Sequence, residues 1–138
     1  MATLNYMVIP GMYKKFDVDF NRVKLFVCEE FGITLEELHT KKTKNTKAIY
    51  AHPRMMCFYI GHYIYNLSYH KLAAEFNINA HATVIHGVKN ISNWLETDRN
   101  VLGKYLNILK KMENYGNIRR EQGIPHIWDA HKYGEWIE

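Results

Sequence analysis

The 138-residue chain is 47% hydrophobic and 14% aromatic with only three prolines, which supplies a core for one globular domain and excludes a disordered chain. Its formal charge is +4, from 18 basic and 14 acidic residues, no apolar run approaches the roughly 18 residues of a membrane span, and the N-terminus lacks the basic cluster and apolar stretch of a secretory signal. Cys28 and Cys57 fit no metal-ligand spacing and read as buried thiols of a reduced, cytoplasmic protein, with a disulfide between them left open.

Residues 1–16 carry a short apolar patch and the turn-forming pair Pro10-Gly11, and read as an extended arm on the core. A first helix is expected over about 18–31, capped by Asp17 or Asp19, with Phe20, Val23, Phe26 and Val27 inward and Gly32 at its end, where a left-handed residue is favoured. Thr34-Leu35-Glu36-Glu37 has the form of a capping box, so a very short second helix should follow to about His39. The stretch 40–48 lacks hydrophobic periodicity and holds Lys41, Lys42, Lys44 and Lys47; it reads as a basic loop that neutralises phosphates. Lysine lacks the planar fork of arginine, so the loop is expected to add affinity more than specificity. Pro53 suits a first helical position, and the helix it opens, about 53–66, is apolar enough (Met55, Met56, Phe58, Tyr59, Ile60, Tyr63, Ile64) to be the most buried. Arg54, at its N-terminal end, is expected to meet a phosphate.

Residues 68–91 read as two short helices broken by a turn. Ser68 caps the first, whose inward face is Leu72, Ala73 and Phe76; Asn77 takes the left-handed conformation, and Asn79 is expected to cap the second or hold a phosphate. Val84, Ile85, Val88 and Ile91 then form an apolar stripe away from His81, Thr83 and His86. That is the pattern of a helix-turn-helix whose second helix reads the major groove. His81 and Thr83 lead the candidates for base edges, with Ala82, His86 and Lys89 beside them. Trp94 and Leu95 close this helix, Asp98 caps a last one, and Val101, Leu102, Tyr105, Leu106, Ile108, Leu109 and Met112 supply its inward stripe. Residues 113–138 form an aromatic extension, expected to pack back or to hold a partner.

Charge supports the same reading. Between Leu38 and Leu95 stand seven bases and one acid, Glu75, so this segment carries +6 and the remainder −2, a field suited to a polyanion. His81 and His86, like His126 and His131, are five residues apart, not the four that put two metal ligands on one helical face. No phosphate-binding Gly-x-x-x-x-Gly-Lys-Ser/Thr loop, Gly-x-Ser-x-Gly, His-Glu-x-x-His or Cys-x-x-Cys occurs, so no enzyme, nucleotide, metal or other cofactor is expected.

The run Asn79-Ala80-His81-Ala82-Thr83-Val84-Ile85-His86-Gly87-Val88-Lys89-Asn90-Ile91 resembles the signature of the C-terminal DNA-binding domain (domain IV) of the bacterial replication initiator DnaA, roughly G-x-R-D-H-T-T-V-x-H-A-x-x-K-I. His81, Thr83, Val84, His86 and Ile91 match in place; Asn79-Ala80 replaces the Arg-Asp pair and Ala82 the first threonine. Ala51-His52-Pro53-Arg54 resembles the family's Ala-Arg-Pro-Arg, and the likeness covers about residues 20–112. It implies an all-α bundle of about six helices containing a helix-turn-helix, of the domain IV or Trp-repressor-like kind, with an N-terminal arm (1–16), a domain (17–112) and a C-terminal extension (113–138). It implies duplex-DNA binding in the nucleoid, with the 40–48 loop in the minor groove, and no ATPase module in this sequence. A regulatory or replication factor of a phage or mobile element would fit such a detached domain. The loss of the aspartate at Ala80, a natural acceptor for the cytosine amine, implies an altered target site. The alternative on the same fold is a protein-interaction module that engages a replication protein through the aromatic extension.

Overall fold

A computed structural model describes residues 16–40 and 50–124. Six helices and no strand occur among them, as expected: α1 (Phe20–Phe31), α2 (Leu35–Leu38), α3 (Ala51–Tyr63), α4 (Tyr69–Glu75), α5 (His81–Thr97) and α6 (Arg99–Glu121). Local chemistry sets most of their ends. Asp19 accepts from the Arg22 amide at 2.8 Å, and Gly32 ends α1 at φ 68°. Thr34 and Glu37 form the reciprocal capping box, at 2.9 and 3.1 Å. Ser68 caps α4 through the Lys71 amide at 3.1 Å. Asp98 caps α6 through the amides of Asn100 and Val101. Each bond satisfies a donor that a helical first turn leaves without an intrahelical partner.

α3 is the hub, packed on α1, α4 and α5, while α6 crosses α1 and α5. Met56, Cys57, Ile60 and Ile64 are fully buried, with Leu72, Val84, Leu95, Tyr105, Ile108 and Met112 against them. Both cysteines are free, buried thiols. α3 begins at Ala51, two residues before Pro53; the proline is tolerated because the first four amides of a helix have no intrahelical acceptor anyway. α6 runs to Glu121, well past the stripe ending at Met112. Its final turns close on the start of α1: Arg119 Nε donates to the buried Asp17 carboxylate at 2.9 Å, and Tyr115 meets Phe26 edge-on at 6.0 Å. Asp17 is therefore used here, not as the α1 cap. Leu106, expected inward, is exposed.

Candidate nucleic-acid interface

The turn between α4 and α5 decides what α5 presents. The Ile78 amide reaches the Ala73 carbonyl at 2.8 Å and the Asn77 amide that of Ala74 at 3.2 Å, with Asn77 at φ 54°. This is the pairing of a Schellman motif, in which a left-handed residue lets the chain fold back over a helix end. Half-buried Ile78 packs against the core, the chain leaves through exposed Asn79, and α5 starts immediately after Ala80. The capping role expected of Asn79 is thereby corrected: Ala80 is the N-cap and no side chain bonds the first amides of α5. An exposed helix N-terminus without a side-chain cap keeps donors and a positive dipole end for an anion.

Val84, Gly87, Val88 and Ile91 face the core, whereas His81, Ala82, Thr83, His86 and Lys89 are all exposed. Gly87 permits the close approach. A Cβ there would lie 2.9 Å from Phe58 Cδ2 and 3.0 Å from Met55 Cγ on α3. The side chains singled out in the sequence thus share the outward surface of the first three turns of α5. The rings of His81 and His70 also meet, centroids 4.2 Å apart. Nothing in the sequence flags His70, because the Schellman turn alone brings α4 and α5 into that register.

The described residues on either side of the basic stretch are held in place. Lys41, Lys42, Lys44 and Lys47 lie outside the described residues, but the flanks do not. Arg54, expected to face a phosphate, instead turns inward: it is 9% exposed, and its Nε and an Nη donate to the carbonyls of Leu38 at 3.0 Å and Thr40 at 2.9 Å. The physical reason is that α2, a single turn, leaves terminal carbonyls with no intrahelical donor, and a guanidinium can serve two at once. At the far flank, Tyr50 donates to Glu37 at 2.7 Å, a bond that raises the phenol's pKa by holding its proton. His52 packs on Trp94 of α5 at 4.9 Å, so the loop's exit also touches the second helix of the motif.

The one acid of the basic segment is withdrawn from this surface. Glu75 pairs with the buried Lys24 ammonium of α1 at 2.6 Å, which also lies 3.4 Å from His39 Nε2 and over the Phe76 ring. His39 stacks on Phe76, centroids 4.9 Å apart. Burial and the neighbouring Lys24 both push the His39 pKa below its ordinary value.

A short helix, a Schellman turn and a second helix whose N-terminal turns present a polar outer face define a helix-turn-helix domain of the DNA-binding class. The chain belongs to the family described as the bacterial DnaA protein helix-turn-helix, whose model matches residues 20–91, more than half of it. It is 32% identical over 90 residues to the chromosomal replication initiator protein DnaA of Caldanaerobacter subterraneus subsp. tengcongensis, covering 64% of this chain and 19% of that protein. To the protein of the same name from Thermoanaerobacter sp. (strain X514) it is 36% identical over 86 residues, covering 62% of this chain and 18% of that one. The chain spans about a fifth of the length of these relatives. No helix among the described residues is long and apolar enough to cross a membrane, and no group of three or more metal-ligating side chains occurs among them.

Proposed function

We propose that the chain binds duplex DNA by laying the first three turns of α5 in the major groove, with the basic 40–48 loop on the adjacent backbone and minor groove. The observation that carries the reading is the outer face of α5: His81, Ala82, Thr83, His86 and Lys89 are exposed together beside an N-terminus that no side chain caps. The free amides and the lysines take phosphates, and the side chains of His81 and Thr83 meet base edges, Thr and Ala82 through methyl contact with thymine. Asn79, exposed and free of a capping duty, faces the same phosphates. Arg54 acts indirectly, by fixing where the loop leaves α2.

DNA engaged in replication is the natural target class, given what the relatives are named for. The chain would occupy and mark such a site rather than remodel it, since it contains no nucleotide-binding loop of its own. A role for the extension 113–138 in holding a replication protein concerns a segment of which residues 125–138 lie outside the described residues.

Fluorescence anisotropy with labelled duplexes across a salt series tests the reading. Contacts to about five phosphates give a log–log slope of roughly −4 to −5. Neutralising Lys41, Lys42, Lys44 and Lys47 together should flatten that slope for every duplex, while His81→Ala should weaken binding in a way that depends on sequence. Salt-independent binding, or none at low salt, refutes the proposal.

A further inference from the structure

Within the DNA-binding reading, on which this inference rests, the geometry points to His70 as the positioning residue for His81. The two imidazoles, on different helices, have centroids 4.2 Å apart and planes 47° apart. Both residues are exposed, so the contact is not a by-product of core packing. Neither ring makes a hydrogen bond among the described residues. The rings therefore pack on one another at a tilt, with no ring nitrogen of either committed to a bond among the described residues.

That arrangement matters for recognition. His81 is the first residue of α5, where backbone restraint from a preceding helical turn is absent, and an isolated exposed histidine there samples several rotamers. Ordering such a side chain on binding weakens a complex by several-fold. A ring packed against it in the free protein removes part of that cost beforehand. The backbone supports the pairing from both sides: the Ser68 cap fixes the first turn of α4, which carries His70, and the Asn77 turn fixes α5 relative to it. His70 thus acts through His81: it sharpens discrimination by strengthening the hold on the duplex whose bases His81 reads and on no other.

Four variants test this: His70→Ala, His70→Phe, His81→Ala and His70→Ala with His81→Ala, each checked by circular dichroism for an unchanged melting temperature. Affinity is measured for a duplex selected by the wild type and for a scrambled duplex. His70→Ala is expected to weaken the selected duplex about five-fold and leave the scrambled one unchanged. His70→Phe, which keeps a ring face but no polar edge, should restore the loss. In the His81→Ala background, removing His70 should change nothing further. Additive losses in the double variant, no rescue by phenylalanine, or no effect of His70→Ala each overturn the assignment. The His81 imidazole proton shifts, read by NMR without DNA, should move on His70→Ala because a neighbouring ring in contact with it is lost. Failure of the wild type to bind any duplex would sink the parent reading, whereas intact binding with unmoved His81 shifts would sink only this one.

Discussion

Replacing Glu75 by glutamine should destabilise the domain more than replacing its partner Lys24 by methionine. The two ends of this ion pair sit in different surroundings: the side chain of Lys24 is 7% exposed and that of Glu75 39%. Removing one partner of a fully buried pair costs about 3–5 kcal/mol, because a charge is stranded away from water. With Glu75→Gln the stranded charge is the buried ammonium. It retains an amide oxygen, the His39 ring nitrogen at 3.4 Å and the Phe76 face at 5.6 Å, which reduces the expected loss to about 2 kcal/mol. With Lys24→Met the stranded charge is a carboxylate that reaches water, while the thioether fills the slot between Phe20 and Phe76; that change should cost under about 1 kcal/mol. For a chain of 138 residues, unfolding entropy scaled by length converts about 2 kcal/mol into a fall in Tm of about 7 °C. Thermal and urea unfolding followed by circular dichroism measure both variants and the double variant, which should resemble Lys24→Met alone. An equal or larger loss for Lys24→Met would show that the buried lysine is not the end that needs the pair.

The same contacts make three further predictions. Gly87→Ala places a methyl 2.9 Å from Phe58, itself 2% exposed; overpacking of about 1–3 kcal/mol outweighs the gain of about 1 kcal/mol in helix propensity, so urea unfolding should show a net loss of about 1 kcal/mol. Because the folded state lowers the His39 pKa, the unfolded chain takes up its proton first as the pH falls below about 6.5. Stability should therefore decline with falling pH from there until the lower folded value is passed, and His39→Phe, which keeps the stack on Phe76, should flatten that part of the profile. Arg119→Met withdraws one partner from the buried Asp17 and should cost about 1–2 kcal/mol in thermal unfolding; no loss would detach the end of α6 from the core.

Capping chemistry and apolar periodicity made the helices legible, because both are local. Asp19, the Thr34–Glu37 box, Ser68 and Asp98 each bond an amide two or three residues away. What escaped the sequence depends on partners far along the chain or on the path of a turn. Arg54 reaches carbonyls 14 and 16 residues back; its charge is evident from sequence, but its direction follows from the orphan carbonyls of α2. Lys24 and Glu75 are 51 residues apart. Asn79 has the composition of a cap, yet the position of α5 is set by Ile78 returning to the core, which spends Asn79 on the approach. The extent of α6 was hidden because beyond Met112 its contacts run through Tyr115, Gly116 and Arg119, which form no apolar stripe.

On the DNA-binding reading proposed above, these long-range contacts also separate two roles that the sequence merges into one basic segment. Arg54 and Tyr50 grip α2, so the two flanks of the lysine loop are fixed whatever the lysines touch. α5 is placed chiefly by Gly87 on α3 and by the turn at Asn77, with His52 at the loop's exit packed on its Trp94. A point charge on a loop of fixed footing contributes affinity that falls with salt and is blind to sequence, whereas side chains held on a rigid helix contribute discrimination. The departures at Asn79, Ala80 and Ala82 fall on the second device, whereas His52 in place of the family's arginine falls at the exit of the first. Asn79-Ala80 removes the Arg-Asp pair at the mouth of α5, while the framework that seats the helix, Val84, Val88 and Ile91 against α3, is buried. On the DNA-binding reading proposed above, the changes at Asn79, Ala80 and Ala82, made on an intact seat, alter which site is bound without weakening the hold on DNA as such. Restoring the acceptor with Ala80→Asp should therefore shift the preferred sequence in a binding-site selection and leave the salt slope unchanged. A changed slope with the same preferred site would mean that the two devices are not separate.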